Sequence, residues 1–220
     1  LLIGLPFMVK FLVFVCFLLL RLFALHAQPQ NLVPNPSFEE HSCCPCKSAM
    51  LNCCDYWFVK NSSPDYFNSC NNEINDWFAS GIPTGVTAVP KNSVGEQSAK
   101  DGNAYIGIIT SLELNDNFSQ REYIGIKLPE KLLENLKYCY EYWISLADSS
   151  NYTGKNFGIA FGNYETSNWF NENFYYLESS NFENAMFDKW TKIEGVFYAK
   201  GWEEYLFIGN FITDSTTKIS

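Results

Sequence analysis

Histidine is almost absent. The 220 residues contain two, His26 and His41, and His26 lies in an apolar leader. A Ser-His-Asp or Cys-His triad would therefore have to be built on His41. No Gly-x-Ser-x-Gly, His-Glu-x-x-His or phosphate-loop pattern occurs either. Paired carboxylates can hydrolyse glycosides without histidine, but Glu39, Glu40, Asp101, Glu122 and Glu141 nominate no pair. Positive charge is also scarce: 15 Lys and Arg stand against 24 Asp and Glu, a net charge of −9. That argues against non-specific nucleic-acid binding and against docking to an anionic membrane. No repeat of 20–50 residues appears.

What is present is apolar and aromatic. Hydrophobic residues make up 47% and aromatics 17% of the chain, enough for one domain with a sizeable core. The 22 Asn residues suit turns and loop tips and work against helix. Residues 1–27 form an apolar leader with Met8 as the expected start, Lys10 as the positive end, Phe11–Leu20 as the hydrophobic run, and Leu25-His26-Ala27 before a cleavage site. The rival is an uncleaved anchor. Arg21 interrupts the stretch and favours a signal peptide, with no membrane span left after cleavage. The mature domain is then 28–220.

Cysteine clusters tightly after the leader. Cys43, Cys44, Cys46, Cys53, Cys54 and Cys70 fall within 28 positions, and Cys139 stands apart. In an exported chain this density implies disulfides that staple a loop-rich segment. The bridges should join the two groups or reach Cys70, with Cys139 left over. The alternative is a thiolate metal site drawing on Cys-Cys-x-Cys and Cys-Cys.

The first mature stretch, Asn31–Glu40, has Pro34 and Pro36, and so reads as an extended edge segment. Phe38 is its core plug. Strands are expected over 56–59, 104–110, 120–128, 137–147, 156–162, 190–199 and 204–211, and a short helix or turn over 129–136. Lys137–Ala147 is the clearest, with Tyr138, Tyr140, Tyr142, Ile144 and Leu146 on one face. Several strands with long loops and little helix predict an all-β, two-sheet antiparallel sandwich.

Loop aromatics (Trp57, Tyr66, Trp77, Trp169, Tyr175, Tyr176, Trp202) could stack on the C–H faces of sugar rings. Trp77 and Trp169, flanked by Asn or Asp, are the best of them, with Tyr175 beside them. Trp143 and Trp190 read as core. Arg121 and Glu122 could reach a ligand on a concave face or pair internally.

The order of phrases then matters. Asn31-Leu-Val-Pro-Asn-Pro-Ser-Phe-Glu-Glu is followed by Cys44-Pro45 and Pro64-Asp-Tyr-Phe-Asn-x-Cys70. Next come Val89-Pro90, Gly95-x-Gln97, Asp101-Gly-Asn-Ala-Tyr-Ile-Gly, Arg121-Glu-Tyr-Ile, Tyr142-x-Ile-Ser-Leu-Ala-Asp and Ile208-Gly-Asn-Phe. Over roughly residues 31–212 the chain resembles the N-terminal, jelly-roll, galactose-binding-like module of secreted or surface Bacteroidetes proteins. That module often precedes an OmpA-like domain or a sorting tail. The resemblance implies a jelly-roll sandwich whose last strand lies beyond Ser220. It implies a place at the cell surface, outer membrane or outside the cell, and a glycan or envelope component as partner. It also implies structural calcium held by Glu39 and a carboxylate on the last strand; Asp101, at a loop-to-strand entry beside Gly102, is a second candidate from its own position. The function expected is non-catalytic binding of carbohydrate or adhesion. The alternatives are a structural spacer for an OmpA-like envelope protein and a glycan-active enzyme.

Overall fold

A computed structural model describes residues 30–61, 63–73, 85–110, 112–114, 118–150, 157–163, 174–178 and 186–211. The chain divides into two compact units, Leu1–Leu32 and Val33–Ser220, and the fold below is that of the second. The leader, Trp77 and Trp169 lie outside the described residues.

The described residues fold into strands β1 (Trp57–Asn61), β2 (Asp65–Asn68), β3 (Lys91–Asn92), β4 (Gly95–Glu96), β5 (Ala104–Gly107), β6 (Leu112–Leu114) and β7 (Phe118–Gln120). Then come β8 (Tyr123–Lys127), β9 (Lys137–Ile144), β10 (Phe157–Gly162), β11 (Phe174–Glu178), β12 (Thr191–Tyr198) and β13 (Tyr205–Asn210). Helix among these residues is limited to two 3-10 turns, Leu51–Cys53 and Ser69–Glu73. No helix among them is long and apolar enough to cross a membrane. The described residues are all-β with antiparallel sheets, as their alternating patterns predict.

Five strands make the larger sheet, in the order β1-β8-β13-β10-β11. β9 and β12 pair along eight residues, Lys137 opposite Tyr198 through Ile144 opposite Thr191. The two layers meet through apolar side chains of period two. From the larger sheet come Phe157, Phe161 and Ile208; from the smaller come Ile144, Ile193, Tyr142 and Phe197. The Phe161 and Phe197 rings stand 4.7 Å apart, centroid to centroid. β9 follows its predicted alternation, since Ile144 is buried while Lys137, Cys139 and Glu141 are exposed. A second cluster, Phe67, Val89 and Tyr105 with Trp190 against it, sits under the β2–β5 pair.

The segment 33–40 departs from the expected edge strand. Asn35 (φ 44°) and Phe38 (φ 64°) adopt left-handed conformations, and the segment turns instead of extending. Asn35 is buried and organises the turn. Its Nδ2 donates to the Glu40 and Asp55 carbonyls at 2.8 and 3.0 Å, and its carbonyl accepts from Trp57 Nε1 at 3.0 Å. Phe38 is the plug expected of it, packing 5.1 Å from the Trp57 ring. Residues 129–136 form a turn, not a helix: Leu132 is buried, but Leu133 and Leu136 face solvent.

Two disulfides tie the cysteine-rich loop, Cys43–Cys53 and Cys44–Cys70. Each joins the groups expected to be joined. By loop-closure entropy they contribute about 3 kcal/mol each. Cys46 and Cys54 are not bridged, and neither is Cys139. The thiolate-metal alternative is overturned, because three of the sulfurs it needs, Cys43, Cys44 and Cys53, are in disulfides. Cys54 is buried, and desolvation, with Asp55 adding to it, pushes its thiol up to about 12.

Candidate functional site

The outer face of the larger sheet, turned away from β9 and β12, carries aromatic side chains over a floor of glycine and alanine. Strand pairing puts Phe58, Gly125, Phe207, Ala160 and Tyr176 in one row across all five strands. The next row on the same face holds Lys127, Tyr205, Gly162 and Phe174. Phe211, just past β13, closes the group, with its ring 5.3 Å from Tyr123, 5.7 Å from Phe174 and 6.5 Å from Tyr176. Phe58 meets Phe207 and Tyr205 edge-on, each at 6.1 Å.

Small residues make this possible. A Cβ at Gly125 would stand 2.5 Å from Phe58 Cζ and 2.9 Å from Phe207 Cδ1. A Cβ at Gly209 would collide with the Tyr123 ring. β10 offers only Gly158, Ala160 and Gly162 to this face, so rings from β13 and β11 lean over it. Phe207 is fully buried as the base of the layer. Phe58, Phe174, Tyr205 and Phe211 are half-buried, and Tyr176 is 42% exposed. Two ammonium groups sit above the rings: Lys60 Nζ is 5.9 Å from the Phe207 centroid, and Lys127 Nζ is 5.8 Å from that of Tyr205.

A second aromatic group stands where β13 begins. Glu203 is fully buried. Its Oε1 accepts from the Lys200 N–H at 2.6 Å and from the Tyr175 hydroxyl at 2.8 Å, and its Oε2 accepts from the Trp202 N–H at 3.0 Å. The carboxylate thereby pins the Gly201 turn (φ 84°). Lys200 Nζ lies 4.2 Å over the Tyr175 ring. Burial first, then the hydrogen bond to Glu203, push the Tyr175 phenol well above its usual range.

The residues singled out from sequence fall in different places. Tyr175 faces inward, against Phe161 and Phe197, with its hydroxyl held by Glu203. Its neighbour Tyr176 is the one on the outer aromatic face. Trp57 and Tyr66, counted with the loop aromatics, are buried core residues. Trp143, expected in the core, is half-buried on the outward side of β9, under the Lys100 ammonium at 4.4 Å. Arg121 is half-buried and donates from Nη1 to the Asn210 carbonyl at 3.3 Å. Glu122 is an interior anchor, accepting from the Ser63 N–H and hydroxyl at 3.1 Å and from the Ile109 N–H at 2.9 Å.

The calcium candidates are engaged separately. Glu39 accepts from the Asn103 N–H at 2.8 Å and from Asn103 Nδ2 at 3.2 Å, fixing the 101–103 turn. Asp101 is exposed and lies 3.4 Å from Lys100 Nζ. Among the described residues, no group of three or more His, Cys, Asp or Glu side chains could hold a metal ion. Sequence reasoning missed both the outer aromatic face and Glu203. The available signal was Gly158-Ile-Ala-Phe-Gly162, where every second residue is small.

No protein-family model, curated protein or solved structure matches this chain.

Proposed function

We propose that this chain is a non-catalytic binding module of an exported protein and takes glycan on the outer face of its larger sheet. One observation carries the reading: partly exposed rings share a face whose floor is Gly125, Gly158, Ala160, Gly162 and Gly209. Pyranose rings present flat C–H faces, and an apolar ring layer with open edges is what those faces stack on. Burying that surface in a complex is favourable at about 25 cal/mol per Å² of apolar area. Export fits two disulfides in one short loop, since such bridges persist in oxidising compartments. A jelly-roll assignment of the galactose-binding-like kind belongs to the same proposal, supported by the antiparallel five-stranded sheet packed on β9 and β12.

The test is a glycan-array screen of the chain, in calcium and in chelator, repeated with Tyr176→Ala. Selective binding that weakens about tenfold or more in the variant supports the reading. A folded chain that binds no glycan in either condition refutes it, and leaves the spacer role as the better account.

A further inference from the structure

We infer that the corner between Tyr175 and Trp202 is a binding site for a trimethylammonium group, which enters by displacing the ammonium of Lys200. The site lies apart from the outer aromatic face, because Tyr175 turns inward and Tyr176 outward on β11, and it does not rest on glycan binding. Geometry is the first argument. The two rings meet nearly at right angles, with 81° between their planes and 5.4 Å between their centroids. Lys200 Nζ sits in that angle, 4.2 Å from the Tyr175 centroid and 5.7 Å from that of Trp202. Both distances allow a cation–π attraction, and aromatic walls around one cation are how quaternary ammonium groups are recognised.

Glu203 sets the corner in advance. Its carboxylate accepts from the N–H groups of Lys200 and Trp202 and from the Tyr175 hydroxyl, so one buried group fixes both walls. The phenol's bond to a carboxylate also polarises its ring toward greater electron density, which strengthens its pull on a cation. The occupant is the loose part. Lys200 is exposed, its stem is flexible, and its ammonium is compact and strongly hydrated. It gives up water to lie on the rings and regains water on swinging out. A trimethylammonium group spreads its charge over methyls, holds water weakly and presents apolar surface to both rings, so it gains more from the same corner. Tyr175 and Trp202 are only half-buried, which leaves a way in. The net charge of −9 adds long-range attraction for a cation.

The experiment is an NMR titration of the full chain, read at the Trp202 indole N–H and the Gly201 amide. The probes are choline and its neutral isostere, in which a tert-butyl group replaces trimethylammonium. Choline should shift both signals and saturate in the millimolar range, and the isostere should bind about tenfold or more weakly. Lys200→Gln removes the resident cation and should tighten choline binding about fivefold or more. Trp202→Ala removes one wall and should abolish the shift at Gly201. Equal effects of choline and isostere overturn the inference, since the corner then reads apolar shape and not charge. So does the absence of any shift in both wild type and Lys200→Gln, or an affinity that Lys200→Gln leaves unchanged. Phosphatidylcholine vesicles distinguish the source of the group: co-sedimentation that choline reverses assigns it to lipid, and choline binding without co-sedimentation assigns it to a free solute.

Discussion

Glu203 offers the sharpest test of how the turn into β13 is held. The perturbation is Glu203→Ala, with Glu203→Gln and Tyr175→Phe beside it. The carboxylate is fully buried and accepts from two backbone N–H groups and one phenol. A hydrogen bond to a charged group contributes about 1.5–3 kcal/mol, and a buried donor left unpaired costs about 1–3 kcal/mol. Against this stands the desolvation of the carboxylate itself, several kcal/mol, which its removal returns. Three lost bonds outweigh one relieved burial, so alanine should destabilise the chain by about 3 kcal/mol. Gln keeps the shape but sets an NH2 against at least one donor, so it should lie between alanine and wild type. Tyr175→Phe removes one O–H and should cost about 1 kcal/mol. The assay is urea denaturation with the slope held constant between variants. A Glu203→Ala chain within about 0.5 kcal/mol of wild type would refute the argument that this carboxylate pins the Gly201 turn.

Three further outcomes follow from the structure. Gly125→Val places a branched side chain where even a Cβ meets Phe58 and Phe207; it should destabilise by about 2 kcal/mol through overpacking and weaken any glycan binding with it, and unchanged values of both would show that the rings are not held as described. In alkylation at pH 8 under native conditions, exposed Cys139 should label readily while Cys54, buried and pushed up to about 12, should label only on unfolding. The folded chain then holds a proton that the unfolded chain loses near pH 9.0. Stability should therefore fall as pH rises from there toward about 12, and Cys54→Ala should flatten that fall.

The strands were largely legible because their signals are local. Phe157, Ile159 and Phe161 announce one buried face, and Tyr138 through Ile144 announce another. The opposite side of β10 was not, because the small alternate residues Gly158, Ala160 and Gly162 mark a close approach without naming its partners, Phe207 and Phe174, which β13 and β11 bring alongside from elsewhere in the chain. Glu203 was silent for a related reason. Its acceptors serve its own turn and a tyrosine 28 positions away, and no spacing rule links them. The opening segment misled through its prolines, which favour extension; Asn35 enters the left-handed region at little cost, whereas Phe38 is held there by contacts with Trp57 and Tyr66. Tyr175 and Tyr176 show the remaining difficulty, since strand register alone decides which of two adjacent tyrosines faces the core.

The proposal that a ligand lies on the larger sheet draws on a comparison the molecule makes with itself. Both layers bury their facing sides in the shared core, so their outer sides show what each sheet does when packing between the layers no longer dictates its residues. On β9 and β12 that side carries Lys137, Glu141, Lys192 and Glu194, with Lys192 within 2.8 Å of both carboxylates. Trp143, Val196 and Tyr198 share that side with these charges, which is ordinary for a solvated surface. On the larger sheet the outer side is aromatic on β1, β8, β13 and β11, and small where rings must lie down. Phe207 and all of β10 are buried beneath the half-buried rings around them, and partly exposed apolar groups clustered in this way are commonest where something binds. Solubility would favour the charged pattern on both sheets. On the larger sheet the charges set over the rings are Lys60 and Lys127, and Tyr176 is the most exposed ring through which to test the proposed glycan binding.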